Sequence, residues 1–505
     1  MKFIRRPDLD ISTRFTIALR ALSNMGEYAF ITELAESYKV SRTFIYSLVQ
    51  SVVLAFYLQF YSNFLLKRQF FFEKQSLDNK ILLYRLEGNS SLESISNMLH
   101  YNNISPSSVG HISERLKYFG SRLSNTLELN SSEPITLIWL NDEIFAHTSP
   151  ILATVDPISM AILRVELAEK RDAATGNNHF HQMKLRNFHP INLCSDRGTG
   201  IVKASEETFE NVSFQPDMFH DLQELSKIIN GTLQRSAYKA INHEYERKRV
   251  LTSAKSIMVE LERRISYDKA KKEASEAVEL YDDAHYLFGE IRLSMEFIDE
   301  KGNFLTFHSA KENILTALEL LKTLNHSALL DAVYTFESKL DEVLQYMNIA
   351  QQTHNHLSDK IADKELLSTL CLAWKYDHKI YQNPEKRQKK YLQQMRDFNL
   401  ECAQILAQEN YKELKEYVFR SLDTIIRASS LVEAVNSLIR PYLNTCKGQI
   451  TQEMLNLIMF YHNHRKFNHG KRQGKAPIEI LTGQELEKHW VDLLIEKAEG
   501  SKQGS

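Results

Sequence analysis

Three carboxylates stand where their neighbours favour chemistry over plain solvation. Asp142 and Glu143 follow the β-rich run Ile135 to Leu140. Asp196 follows the apolar run Ile191 to Cys194 and opens Asp196-Arg197-Gly198-Thr199-Gly200, where the glycines permit a tight exit. Both carboxylates would therefore sit at the rim of a sheet. If the two strands are neighbours, Asp142 and Asp196 lie side by side. Two like charges about 4 Å apart repel, so such a pair wants a divalent cation. Hard carboxylate oxygens suit Mg²⁺ or Mn²⁺. Glu433 is the third acid that would complete a two-metal site, and Glu143 is the alternative to Asp142 as ligand. On a helix, Glu433, Asn436, Ser437 and Arg440 share one face, while Leu431, Val435 and Leu438 form another that can pack on a sheet. An acid beside Asn436 and Arg440 suits a phosphate-bearing substrate.

The elements that must position these groups are legible as changes of period. Near the N-terminus, Phe15, Leu19 and Leu22 mark an apolar helical face. Ile31 to Tyr38 reads as a short second helix, with Val40-Ser41 as turn and N-cap before a helix from Arg42 to Val53. This is a helix-turn-helix pattern, in which Arg42, Thr43 and Tyr46 open a recognition helix. A second such pattern runs from Ser91 through Ile104-Ser105-Pro106. Ser105 is the expected cap, and the following helix presents Ser107, Ser108, His111 and Arg115. A plain helical bundle is the alternative to each.

Asn130 to Pro134 marks a boundary, after which the period becomes strand-like. Ile151 to Val155 and Ala161 to Leu167 read as a hairpin turned at Asp156-Pro157-Ile158-Ser159. From about residue 226 to 426 the chain reads as all-helical. Leu329, Val333, Phe336, Leu340, Val343 and Met347 repeat at alternating four and three, as one helix with an apolar seam.

Composition constrains the rest. The chain has 505 residues, 62 Lys+Arg against 64 Asp+Glu, and four scattered Cys with no CxxC pair. This excludes a zinc ribbon and a disulfide framework, and fits a reducing cytosol. No apolar run is long enough for a membrane span, and the charged first ten residues do not resemble a signal peptide. Residues 1–130 hold 15 Lys+Arg and 11 Asp+Glu, a local basic excess.

The order strand–Asp142-Glu143, hairpin strands, strand–Asp196-x-Gly and helix–Glu433-x-x-Asn436 resembles the DDE transposases of bacterial insertion sequences, whose catalytic domain is ribonuclease H-like, as in retroviral integrases. The ending is similar too: Tyr461-His462-Asn463-His464-Arg465, then Lys475-Ala476-Pro477-Ile478, with His462 as an intervening residue. The long gap between Asp196 and Glu433 resembles that of hAT-like members, which carry a helical insertion there. Phe219-His220-Asp221 is loosely similar to a (Cys/Trp)-x-x-His stretch of such families, without the Cys.

The resemblance implies a multidomain α+α/β protein: helix-turn-helix domains over 1–60 and 61–130, a ribonuclease H-like core over 131–225 and 427–485, a helical insertion over 226–426, and a tail over 486–505. It implies a Mg²⁺- or Mn²⁺-dependent transposase in which Asp142 bridges two metals and Asp196 and Glu433 each hold one. Partners would be double-stranded DNA, namely transposon ends and target, and a second copy of the chain. The compartment would be the bacterial cytoplasm, at the nucleoid. Arg465, Lys466, Lys471 and Arg472 would contact the DNA backbone, with a solvated charge run as the alternative. The rival reading is a domesticated transposase acting as a non-catalytic DNA-binding regulator; a nuclease that cuts without joining is a third. His179, His181 and His189, and His462, His464 and His469, read as loop or phosphate-contacting histidines rather than zinc ligands. Trp374 reads as a core residue rather than a base-stacking one.

Overall fold

The computed structural model describes residues 6–500 apart from 7, 25–26, 28, 58–76, 130, 132, 148, 211, 383–384, 428–429 and 447. Arg68 to Phe72, a sequence that reads as a packed linker rather than a binding patch, and the last five residues lie outside these. The chain is mostly helical around one mixed five-stranded sheet, an α+α/β architecture.

Helices α1 (Ile11–Ser23), α2 (Phe30–Ser37) and α3 (Arg42–Tyr57) share a small core of their own around Ile17, Ala21, Leu34, Ala35, Ile45 and Val49. Asp10 caps α1 by accepting from the Thr13 N–H, and Ser41 accepts from the Phe44 N–H at the start of α3. The Val40 N–H bonds to the Ala35 carbonyl, and α2 and α3 meet at 101°. The buried face of α1 differs from expectation. It is Ile17, Ala18 and Ala21, whereas Phe15 and Leu19 are exposed. Hydrophobic size pointed to the larger residues, but a close helix contact selects the small alanines.

Helices α4 (Leu77–Leu82, continued by a π turn over Leu83–Glu87), α5 (Leu92–Tyr101) and α6 (Val109–Gly120) have no separate core. Ile81, Leu86, Ile95, Leu99, Ile112 and Phe119 join the same apolar cluster as the sheet and the C-terminal helices. The change of period near residue 130 is thus not a boundary of packing. The cap of α6 is Ser108, which accepts from the His111 N–H, and not Ser105. The Ser105–Pro106 bond is cis and precedes the helix.

The sheet comprises β1 (Ile135–Ala146), β2 (Ser149–Val155), β3 (Ile162–Leu167), β4 (Phe188–Ser195) and β5 (Ser213–Pro216), in the order β3-β2-β1-β4-β5. β1, β2 and β3 form an antiparallel meander; β4 and β5 run parallel to β1. The Asp156 to Ser159 turn closes the hairpin, with the Asp156 carboxylate accepting from the Ser159 N–H and hydroxyl. Parallel strands need crossovers. α7 (Ala173–Lys184) links β3 to β4, and α8 (Thr199–Thr208) links β4 to β5. They cover one face of the sheet, packing on Trp139, Phe188 and Leu193. The other face carries Ile138, Leu140 and Ile144 against the C-terminal helices.

A helical block follows, from α9 (Met218–Lys227) through a π turn to α10 (Gln234–Thr252), α11 (Ile257–Ser294), α12 (Phe307–Thr323), α13 (Ser327–Glu337), α14 (Leu340–Val343), α15 (Tyr346–Lys360), α16 (Lys364–Gln382), α17 (Lys386–Ala407) and α18 (Tyr411–Asp423). All six seam residues from Leu329 to Met347 are buried in its core, but on three helices rather than one. The breaks turn α14 toward the sheet, where the Gln215 side chain donates to the Val343 carbonyl and Lys339 approaches Asp221 at 3.7 Å. Trp374 is a core residue, donating to Asp423 at 2.8 Å.

The chain then returns through α19 (Ser430–Thr445), α20 (Gln452–His464), α21 (Pro477–Thr482) and α22 (Trp490–Gly500). The segment expected as a C-terminal tail over 486–505 instead buries Trp490, Val491, Leu494 and Ala498 in the main core. α20 also finishes the sheet. Asn463 accepts from the Ile162 N–H and donates to the Ile162 carbonyl, while Gln452 does the same for Leu167 N–H and Val165 C=O. These side chains meet the edge of β3 at its two ends, and the Leu127 N–H and Asn125 carbonyl bond to Leu163 and Val165 between them.

At the join of α6 and α20, a Cβ on Gly120 would stand 2.3 Å from the Glu453 carbonyl oxygen. Gly120→Ala is expected to lower stability by about 1–3 kcal/mol, whereas Gly110→Ala, with open space around it, should be neutral or slightly stabilising; urea midpoints of the two variants check this. Burial holds His462 and His464 at about 4 against an ordinary 6.5. The unfolded chain takes up these protons first, so their contribution is full above about 6.5 and is lost as pH falls toward 4. Unfolding in urea at pH 7 and pH 5 should show a smaller acid loss in His462→Gln than in the wild type.

Candidate active site

β1 is longer than its apolar run, so Asp142 lies inside the strand and not past its end. The strand continues because Asn141 to Ala146 pair with β2 through to Ser149. Alternation puts Leu140, Asp142 and Ile144 on the face covered by α19, and Trp139, Asn141 and Glu143 on the other. The parallel ladder to β4 ends at Asn141 opposite Ser195. Asp196 is the next residue, so the register alone brings it beside Asp142.

Asp142 is half-buried. Burial pushes its carboxyl above the usual range; the Glu143 N–H (2.8 Å) and the Asn436 amide (2.5 Å) act against this, the charge of Asp196 adds to it, and His220 opposes it. Asp196 is held by its own turn: its Oδ1 accepts from the Gly198 N–H at 3.0 Å. Gly200 has to be glycine, since a Cβ there would meet the Arg171 carbonyl at 2.3 Å. Glu143 points away from Asp142 and pairs with Arg171 at 3.4 Å, yet burial first and then Asp196 and Asp142 raise its pKa against Arg171.

α19 delivers Asn436, not a carboxylate, to Asp142. Its buried face is Val432, Val435, Asn436 and Ile439. Glu433, Ser437 and Arg440 are exposed. The expected single polar face is therefore divided, because the sheet takes the arc that includes Asn436. Glu433 stands one turn earlier and about 60° round the helix. Among the described residues, no group of three His, Cys, Asp or Glu side chains is gathered as a metal site.

A cation nevertheless fits what is gathered. Asp142 and Asp196 repel one another, and Oδ1 of the fully buried Asn436 has no hydrogen-bond partner. Two carboxylates and an amide oxygen are a hard donor set of the kind that suits Mg²⁺. Behind them, sequence reasoning missed a buried polar chain. The Thr154 hydroxyl lies 2.6 Å from Asn141 Oδ1 and 2.9 Å from His179 Nε2, and His179 Nδ1 lies 3.1 Å from Glu166. Burial alone would raise Glu166; its bonds with His179 and Arg164 hold it at about 2 instead. The alternating strand pattern around Thr154, Arg164 and Glu166 was the available signal. The second missed group is Arg197, which binds Asp221 in two contacts of 3.0 and 3.1 Å and also Glu342. This ties the turn bearing Asp196 to the helical block.

The expected DNA-contacting residues fall into two groups. Arg42, Thr43 and Tyr46 are exposed on the first turns of α3, and Arg440 is exposed on α19. Others are engaged within the chain. Arg115 forms two bonds with Asp78 (2.7 and 2.6 Å), Ser108 is a cap, and Ser107 and His111 are half-buried. Arg465 faces Glu87, Lys466 faces Glu479, and Lys471 faces Asp423, at 3.3, 3.2 and 2.8 Å. Arg472 donates to the carbonyls of Ile158 and Pro157. Their charge pattern resembles a solvated or phosphate-facing run because their partners, three acids and two backbone carbonyls, lie outside the run itself.

The sequence matches no protein-family model, and no curated protein is significantly similar to it.

Proposed function

We propose that the chain is a DNA transposase of the DDE type, with a ribonuclease H-like catalytic core interrupted by a helical insertion. One observation carries this reading: β1 and β4 are parallel neighbours whose register ends at Asn141 and Ser195, setting Asp142 beside Asp196. The order of elements supports it, since a hairpin follows β1, β4 carries the second acid, and α19 returns after a long helical block to lie on β1. In this reading α1–α3 form a helix-turn-helix that presents Arg42, Thr43 and Tyr46 to the ends of the element.

Asp142 and Asp196 would hold the cation, with Asn436 orienting Asp142 and Glu433 closing the site by turning in from the exposed side of α19. Bound divalent metal supplies Lewis-acid stabilisation and an activated nucleophile for in-line attack on a phosphodiester. The chain's own groups set the geometry. The Glu143 N–H and the Asn436 amide fix the Asp142 carboxylate. The Gly198 N–H fixes Asp196, and Arg171 pairs with Glu143. Hydrolysis would free a 3′-hydroxyl, and that hydroxyl would then attack a target phosphodiester, breaking its P–O3′ bond and releasing the target's own 3′-hydroxyl.

The alternative is a DNA-binding regulator derived from such an enzyme. It is favoured by one observation, that Glu433 is exposed and no three-acid site is gathered among the described residues.

Strand transfer decides between them. With a pre-cut duplex of the DNA ends flanking its gene, plasmid target and Mg²⁺, joined product is expected and should vanish with chelator. Asp142→Ala, Asp196→Ala and Glu433→Ala should each abolish joining while leaving end binding intact. Asn436→Ala, which removes both the amide that orients Asp142 and the side-chain oxygen open to a cation, should cost about 10- to 100-fold. End binding without joining in Mg²⁺ and in Mn²⁺ would establish the regulator instead.

A further inference from the structure

Arg85 is 1 % exposed, and among the described residues its hydrogen-bond partners are all neutral. Nη1 donates to the Ser90 carbonyl at 2.7 Å and to the Thr445 hydroxyl at 3.2 Å. Nη2 meets the Cys446 sulfur at 3.2 Å, a weak acceptor, and the buried Nε has no partner. The Tyr442 ring lies against the guanidinium, 5.0 Å from centroid to Cζ. Arg164, buried to a similar degree, has Glu166 at 2.8 Å. Glu87, the acid nearest to Arg85 in sequence, is taken by Tyr461 and Arg465 instead. A buried cation without an anion is costly. Nε and Nη2 together form an edge of the guanidinium that can grip a carboxylate through two parallel bonds.

The same side chain lines a cavity of about 110 Å³ between the π turn after α4, helices α5 and α6, and the loop from α19 into α20. Its other walls are mostly apolar, formed by Leu92, Leu116, Ile450, Met454 and Leu457. Lys117 and Glu453 also line it, but their opposite charges lie near one another and the Glu453 carboxylate is bonded to Thr451. Arg85 therefore sets the sign of the cavity. We propose that this cavity binds a small monocarboxylate, its head on the Nε–Nη2 edge of Arg85 and its short aliphatic tail among the apolar walls. A cavity of this size takes a molecule of about four to six non-hydrogen atoms, which is the size of butyrate. A neutral apolar molecule would leave Arg85 unmatched, and inorganic phosphate would leave the apolar walls unfilled. A polynucleotide backbone cannot reach a guanidinium buried this deeply. None of these residues belongs to the candidate active site, so the proposal stands independently of the chemistry proposed there.

The test is titration of the full chain with butyrate, butyramide and inorganic phosphate in turn, without DNA or metal, read by calorimetry and by ligand-observed NMR. Saturable binding of butyrate is expected at millimolar concentration. Butyramide has the same shape without the charge, and phosphate has the charge without the tail; each should bind at least about 10-fold more weakly. Arg85→Met should weaken butyrate by about 10-fold or more. Met454→Phe leaves Arg85 in place and fills the cavity, so it should abolish butyrate binding with the circular dichroism spectrum unchanged. This second variant decides the matter if Arg85→Met fails to fold. Absence of butyrate binding to the wild type overturns the proposal. Butyramide binding as tightly as butyrate shows an apolar cavity with no use for the guanidinium, and overturns it too. Phosphate binding as tightly as butyrate, or butyrate binding unchanged in Met454→Phe, places the anion elsewhere and overturns it equally.

Discussion

The parallel register between β1 and β4 is the constraint on which the candidate site depends. It ends with Asn141 opposite Ser195, so the residues that follow, Asp142 and Asp196, must share one edge of space. Placing two anions together in a half-buried position is unfavourable in itself. The fold offsets that cost with directed dipoles. Asp142 takes an amide N–H from its own strand and a side-chain amide from α19, and Asp196 takes the Gly198 N–H of its own turn. None of these donors carries charge, so the pair keeps its negative potential and its capacity for a cation. The buried chain Asn141–Thr154–His179–Glu166 stiffens the opposite face of β1 directly behind the site.

The helical block is anchored where it matters most for that geometry. Arg197 is the residue after Asp196, and its guanidinium is shared between Asp221 at the start of the block and Glu342 on α14. Gln215 on β5 reaches the Val343 carbonyl, and the Met218 N–H bonds to the Arg427 carbonyl where the block ends. The two crossing points of the insertion are thus tied to one another and to the turn that carries the second acid. A displacement of α14 would pull on the Asp196 turn through a single ion-paired side chain.

The C-terminal helices do a different job from the one their charges suggested. Tyr461 bonds to Glu87, His462 to the Met160 carbonyl, and Asn463 to both backbone groups of Ile162. Arg85, buried beneath α19, donates to the Ser90 carbonyl and to Thr445, and its guanidinium lies over the Tyr442 ring. These contacts weld α4–α6, the sheet edge and α19–α22 into one core. α1–α3 keep a small cluster of their own, and so does the helical block.

Local pattern determined much of this in advance. The strands around Ile135, Ile151, Ala161 and Ile191, the Asp156 turn, the all-helical middle and the α2–α3 turn all follow from residue type and short-range period, because the forces involved act between residues a few positions apart. Asp142 and Asp196 were recognisable for the same reason, each being an acid at the end of an apolar run. What the sequence could not determine was phase and pairing. Whether Phe15 or Ala18 faces inward depends on which helix arrives to cover it. Whether Glu433 or Asn436 meets Asp142 depends on which arc of α19 the sheet occupies. Arg115, Arg465, Lys466 and Lys471 look like free cations until their acids arrive from distant parts of the chain. One helical seam is divided over three helices, and Arg197 and Gln215 hold the middle one. In each case the deciding interaction joins residues remote in sequence, and only the tertiary structure brings those together.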